Sequence, residues 1–574
     1  MHEFKTWAPR AHTVAVQMNG SHFPLQPAGD GWWSARVDEA GPGADYFYLI
    51  DGGDPIPDPR SGFQPLGIHG PSRILDHQAF QWTDANFQAK PLASAIVYEL
   101  HIGTFTQQGT FRSAIERLDY LAGLGITHLE LMPVNEFSGD WGWGYDGVDL
   151  FAPHHAYGTP DDLKALVDAC HARGLAVILD VVYNHFGPVG NYLERFGPYF
   201  TKAYQTPWGA AVNLDHRGSH EVRRFFADNA IMWLRDYHFD GLRLDAVHAF
   251  YDRSAIHFLE YLSTEIDNLE SQLGRYLILI AESDLNDPRI ITGREAGGFG
   301  VDAQWSDDFH HALHSVLTGE IIGYYEDFGS MQQLAKALQK AYVYDGIYSA
   351  HRDRLHGRPA VGLSGHHFFG YSQNHDQIGN RAQGDRFAQL VSIGRVKIAA
   401  ALVLTSPFVP MLFQGEEFAA SSPFQYFTHH GDPELARAVS EGRRGEFSAF
   451  GWEPEDVPDP QEFETLQRSK LPWDEINHPP HDEILAWYKQ LIALRRSNSQ
   501  LTDGNLEAVQ IRCDERAHWF VMRRGDFEVV CNLAPERQAI PVTRTSKNVL
   551  ASQPDYEFRP ESIELPPDSV AIIM

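Results

Sequence analysis

Three acidic residues stand at the ends of apolar, strand-like runs. They are Asp245 in GLRLDAVH (241–248), Glu282 in LILIAES (277–283) and Asp376 in YSQNHDQIGNR (371–381). The two-residue period of a strand sends Leu242, Leu244 and Ala246 to one face and Arg243, Asp245 and Val247 to the other. A guanidinium beside Asp245 favours the ionised carboxylate that a nucleophile requires, although the same pair also reads as a self-neutralising buried ion pair. Glu282 closes an apolar run, where desolvation disfavours the charge and keeps a proton ready to donate at neutral pH. Alone, such a glutamate reads more often as a helix cap or rim residue; three carboxyls on separate strand ends point to chemistry. Retaining glycoside hydrolysis uses two carboxyls about 5 to 5.5 Å apart, one attacking the anomeric carbon and one protonating the leaving oxygen. Adjacent strands, about 4.7 to 4.9 Å apart, can supply that spacing. Asp376 would then hold sugar hydroxyls as the ring flattens, with His185 and His375 donating to the same ring.

A metal centre is the competing reading, because the chain has 29 His, with adjacent pairs at His154-His155, His310-His311, His366-His367 and His429-His430. Neighbours on a strand point to opposite sides, so such pairs are expected to chelate poorly, and neither metal nor cofactor is expected. No Gly-rich loop precedes a lysine in the way phosphate binding requires, which argues against nucleotide chemistry.

The elements that must position these residues are legible. Eight apolar runs, Ile96–Ile102, His128–Val134, Ala176–Val182, Gly241–Val247, Leu277–Ser283, Ala303–Asp308, His367–His375 and Phe408–Gln414, alternate with amphipathic segments. This alternation predicts a closed (β/α)8 TIM barrel with its site at the C-terminal strand ends. Thr159-Pro-Asp-Asp starts one helix with a cap and a first-turn proline; Leu163, Leu166, Val167 and Cys170 recur at helical spacing until Gly174. Before the barrel, short β-type runs (13–18, 32–37 and 46–50) separated by turn residues predict an N-terminal β-sandwich over 1–88. The barrel domain is expected over 89–497, including a Pro- and charge-rich stretch at 431–480 and a last helix at 484–497. Runs such as 520–523 and 528–533 predict a C-terminal β-sandwich domain over 498–574. A chain of 574 residues exceeds the roughly 250 to 300 that one core usually accommodates.

Composition narrows the partner. With 76 Asp and Glu against 46 Lys and Arg, the net charge of −30 would repel nucleic acid and favours a neutral substrate. The 13 Trp, 23 Tyr and 35 Phe offer flat platforms for sugar faces, although packing accounts for most of them. Three cysteines do not make a disulfide framework, no apolar stretch follows a basic start, and no run is long enough to span a bilayer. The expected setting is cytoplasmic, with no membrane partner.

The segments DVVYNH (180–185), GLRLDAVH, AES (281–283) and NHD (374–376), in this order on strands three, four, five and seven, resemble the four motifs of the α-amylase superfamily, glycoside hydrolase family 13. The resemblance implies Asp245 as nucleophile, Glu282 as general acid/base and Asp376 as transition-state stabiliser. It places Arg243, His185, His375 and Asp180 around the sugar that is attacked, with Tyr145 of GWGYDGV stacking beneath it. Further segments, among them YELHIGTFT (98–106), TPWG (206–209), ESDLNDPR (282–289) and QNHDQIGNR (373–381), are similar to the maltooligosyltrehalose trehalohydrolases of that superfamily. This implies a maltooligosyltrehalose substrate cut next to its terminal trehalose, and a functional pairing with a maltooligosyltrehalose synthase. Trp208, His248, Asp307, Asp308 and Arg381 are placed near the trehalose, although Trp208 also reads as core and Asp307-Asp308 as a helix cap. The segment after the nucleophile lacks the Lys-His pair of calcium-dependent members, which puts bound calcium in doubt even though Asn184 matches a residue that helps bind it elsewhere. Other readings are a glucan branching or debranching enzyme of the superfamily, or a non-catalytic glucan-binding protein.

Overall fold

A computed structural model describes residues 1–448, 453, 456–543 and 548–574. Eight parallel strands close into a barrel in strict chain order: β1 (Val97–Leu100), β2 (His128–Leu131), β3 (Ala176–Val181), β4 (Gly241–Leu244), β5 (Ile278–Ala281), β6 (Ala303–Trp305), β7 (Phe368–Gly370) and β8 (Val409–Phe413). Each falls within a run read from the sequence, and every residue in them is buried. Burial on both faces explains why these runs are nearly continuous in apolar residues instead of alternating.

Short strands still suffice, because closure removes the sheet edges and helices cover the outside. The helix over Pro160–His171 (α1) shows how locally these are encoded. Thr159 accepts from the Asp162 amide at 3.2 Å, the Asp162 carboxylate accepts from the Thr159 amide at 2.9 Å, and Pro160 occupies the first turn. Leu163, Leu166, Val167 and Cys170 face the barrel at 1 % exposure or less. The chain leaves through Gly174 at φ +73°, a left-handed conformation that glycine takes without strain.

At the N-terminus, a three-stranded sheet (His2–Trp7, Trp32–Val37, Gln26–Gly29) accompanies a four-stranded one (Ser21–Pro24, Val14–Met18, Asp45–Ile50, Ser72–Arg73). All of their pairings are antiparallel. Arg60 ties this region to the barrel through Asp228 at 2.8 Å. Downstream of the helix His481–Ser497, a five-stranded sheet and a three-stranded sheet complete the chain. The Pro- and charge-rich stretch contains the helix Pro433–Ser448; its residues 449–452, 454 and 455 lie outside the described residues. Among the described residues, no helix is long and apolar enough to cross a membrane.

Candidate active site

Parallel register brings the chemistry together. Asp180 on β3 is the Cα partner of Arg243 on β4, and Arg243 of Ile280 on β5. The Arg243 side chain is wholly buried, its guanidinium 4.1 Å from the ring centre of Trp305. One nitrogen, Nη1, donates to both oxygens of Asp180 (2.9 and 2.8 Å) and to Asp245 Oδ1 (2.8 Å); the other, Nη2, lies 3.0 Å from Glu282 Oε2. A single guanidinium thus bridges Asp245 and Glu282.

The two carboxyls are nevertheless driven apart electrically. Burial pushes Asp245 up, but Arg243, His185 and the Asn184 amide outweigh it and hold the acid below its ordinary value; Asn184 Nδ2 donates to Asp245 Oδ2 at 2.8 Å. Burial also pushes Glu282 up, and here it prevails over Arg243, with the charges of Asp245, Asp376 and Asp307 adding to it. Glu282 therefore holds its proton well above the usual carboxylate range. Its sequence setting, an apolar approach, is only part of the cause.

Ala246 is a residue that sequence reading did not single out for the chemistry. Its backbone is left-handed (φ 41°, ψ 52°), uncommon for a residue with a Cβ, and this directs its amide to Glu282 Oε2 at 2.8 Å. The strained backbone thus fixes the Glu282 carboxyl in place.

On the opposite side, Asn374 caps a short helix (His375–Gly379) whose first turn carries Asp376. His375 Nε2 lies 3.4 Å from Asp376 Oδ1, and its Nδ1 contacts buried Glu99 of β1. Burial lowers His375, but Asp376 and Glu99 reverse the effect and raise it to about 9, so the ring carries a proton at neutral pH. Tyr145 donates to Asp180 Oδ2 at 2.6 Å and lies 2.8 Å from His375 Nε2. Glu99 was missed by sequence reading, though a glutamate inside an otherwise apolar barrel strand is a usable signal.

A cleft of about 370 Å³ opens above these groups. Of the residues singled out in the sequence, Asp245, Glu282, Asp376, Tyr145, His185, Trp208 and His248 line it. Asp180, Arg243 and His375 stand behind them, hydrogen-bonded or ion-paired to Asp245, Asp376 or Tyr145. Trp208 is 47 % exposed and stacks on His185 with ring centres 4.9 Å apart, so it is not core. Trp143, Asp146, Tyr426, Phe427 and Thr428 also line the cleft. The last three come from the loop after β8, and Trp143 Nε1 donates to Gln425 O at 3.0 Å. Sequence separation of this size leaves no local signal.

Three of the residues expected near the trehalose have protein partners of their own. Asp308 is buried and anchors chain, its Oδ2 accepting from Asn286 Nδ2 (2.8 Å) and from the amides of Val343 (2.6 Å) and Tyr344 (2.9 Å). Arg381 is spent on Glu320 in a bidentate pair at 2.9 and 2.8 Å. Asp307 accepts from Tyr371 at 2.6 Å and acts on the site through its charge on Glu282. None of the three lines the cleft. Asp308→Ala strands buried amides, each costing about 1 to 3 kcal/mol. A clear fall in Tm, with amide exchange accelerated at 343–344, is expected, while an unchanged Tm would deny the anchor.

A family model for the alpha amylase catalytic domain matches residues 78–206, and one described as a domain of unknown function matches 504–572. A malto-oligosyltrehalose trehalohydrolase of Rhizobium sp. (strain M-11) is 48 % identical, over 99 % of this chain and 97 % of its own length. The chain belongs to the malto-oligosyltrehalose trehalohydrolase family. A crystal structure from Salmonella typhimurium, provisionally described as an alpha amylase, superposes on this trehalohydrolase-family chain with a TM-score of 0.92 at 37 % identity. It covers 99 % of this chain and 97 % of its own. A glucan branching enzyme of Pseudoalteromonas atlantica is further away, at 28 % identity over 74 % of this chain and 61 % of its own length.

Proposed function

We propose that the chain hydrolyses the α-1,4-glucosidic bond adjacent to the terminal trehalose of maltooligosyltrehalose, releasing trehalose and a maltooligosaccharide. Family membership supports the substrate, and the bridging guanidinium of Arg243 carries the chemistry. Ionised Asp245 attacks the anomeric carbon while protonated Glu282 gives its proton to the leaving oxygen. A glycosyl-enzyme forms on Asp245; Glu282, now ionised, takes a proton from water as that water attacks, regenerating both groups. Two successive displacements leave the anomeric configuration unchanged, so net retention is the signature of this route. Asp376 holds sugar hydroxyls across the cleft, with charged His375 ion-paired to it from behind, and Trp208 offers its face to the substrate. A maltooligosyltrehalose synthase is the natural supplier of such a substrate.

Incubation with maltopentaosyl-trehalose and, separately, with glycogen tests this reading. Free trehalose and maltopentaose are expected from the first, and the new reducing end should appear first as the α-anomer by proton NMR. Absence of trehalose overturns the substrate assignment; a β-anomer first overturns the double displacement.

A further inference from the structure

The hairpin that carries Trp143, Tyr145 and Asp146 into the cleft begins at Asn135–Phe137 and returns along Gly147–Pro153. The second strand ends just before His154-His155, and the turn that follows undoes the expectation that neighbouring histidines point apart. Nδ1 of His154 and Nδ1 of His155 both approach one oxygen, Glu136 Oε1, at 3.3 and 2.8 Å. One ligand atom from each of the three residues lies within 4.8 Å of the others.

The setting is built. The side chains of Glu136 and His154 are fully buried. His154 stacks on Phe137 with ring centres 3.7 Å apart; among the described residues its Nε2 has no hydrogen-bond partner, and Nδ1 has only its 3.3 Å approach to Glu136. An imidazole buried in this way has lost its water without replacement, which is unfavourable unless something else takes the lone pair. Across the hairpin from Glu136, Asp149 is also buried, and burial together with the Glu136 charge pushes its carboxyl well above the usual range.

We propose that Glu136, His154 and His155 bind one divalent transition-metal ion of the zinc class, as a structural clamp on the base of the cleft hairpin. Two imidazole nitrogens and one carboxylate oxygen suit Zn²⁺, whereas Ca²⁺ and Mg²⁺ take oxygen ligands; water completes the tetrahedron. Glu136 Oε2 accepts the His155 backbone amide at 2.8 Å, which orients Oε1 toward the ion. Behind His155, Asp140 Oδ1 lies 3.7 Å from Nε2, placed to orient a metal-bound ring. His155 is 23 % exposed, which gives the ion a path from solvent. None of the three ligands lines the cleft, so the ion holds the hairpin without touching substrate.

Chelator-stripped protein titrated with Zn²⁺ by calorimetry is expected to take up one tight equivalent and to rise in Tm as it does so. Glu136→Gln and His155→Ala should each lose that equivalent and the Tm gain, with circular dichroism confirming the fold. Co²⁺ added to the unaltered protein should give the intense visible bands of a tetrahedral site, and this serves if a variant fails to fold. No tight equivalent in the unaltered protein, the same equivalent retained in both folded variants, or weak octahedral Co²⁺ bands would each overturn the proposal.

Discussion

Glu282→Gln should lower kcat on maltooligosyltrehalose by roughly 10²- to 10⁴-fold, the range general acid–base catalysis supplies. The amide keeps the size of the side chain but has no proton to give to the leaving oxygen. A substrate whose leaving group needs no protonation, such as an aryl glycoside with a very acidic phenol, should therefore be spared most of the loss in the first step. Burst-phase kinetics of the first step on the two substrates separates a missing acid from a damaged fold, because a damaged fold slows that step on both equally. Equal loss on both would remove Glu282 from the role of acid.

Asp245→Asn is expected to cost more, on the order of 10⁴-fold or beyond, because no covalent intermediate can form on the amide. Leaving-group quality should not rescue it. The same pair fixes the pH profile. Asp245 must be ionised and is held below its ordinary value, so activity rises as pH climbs through that lowered pKa. Glu282 must be protonated and is raised well above its ordinary value, so activity falls as pH rises through that raised pKa. Between the limbs lies a broad plateau that covers the ordinary carboxylate range. Glu282→Gln should remove the basic limb for the activated substrate and leave the acid limb in place. A basic limb that survives the substitution would assign it to another group.

Much of this arrangement is legible before folding. Strand runs, the Thr159 capping box and the inward pair Arg243 and Asp245 follow from periodicity and local chemistry, which act over a few residues. The motif segments also delivered Asp245, Glu282 and Asp376 to one cleft. Sequence reading is silent where a residue's surroundings are supplied from afar. Asp308 and Arg381 looked like free polar groups and are instead committed to the 343–344 backbone and to Glu320. Likewise, Trp208 could have been core until the hairpin that holds it set it against His185 at the rim.

The sequence by itself determined the barrel, the order of its strands and the gathering of Asp245, Glu282 and Asp376 at its strand ends, because closure and strand-end placement need only pattern. Only the tertiary structure decided their protonation, since burial and the reach of Arg243 to three carboxylates at once are properties of the assembled barrel. It also decided that the loop after β8 closes the cleft against Trp143. The histidines of 154–155 make the same point. As neighbours on a strand they would diverge, but the strand stops one residue earlier, and backbone direction there is set by packing against Glu136 and Phe137.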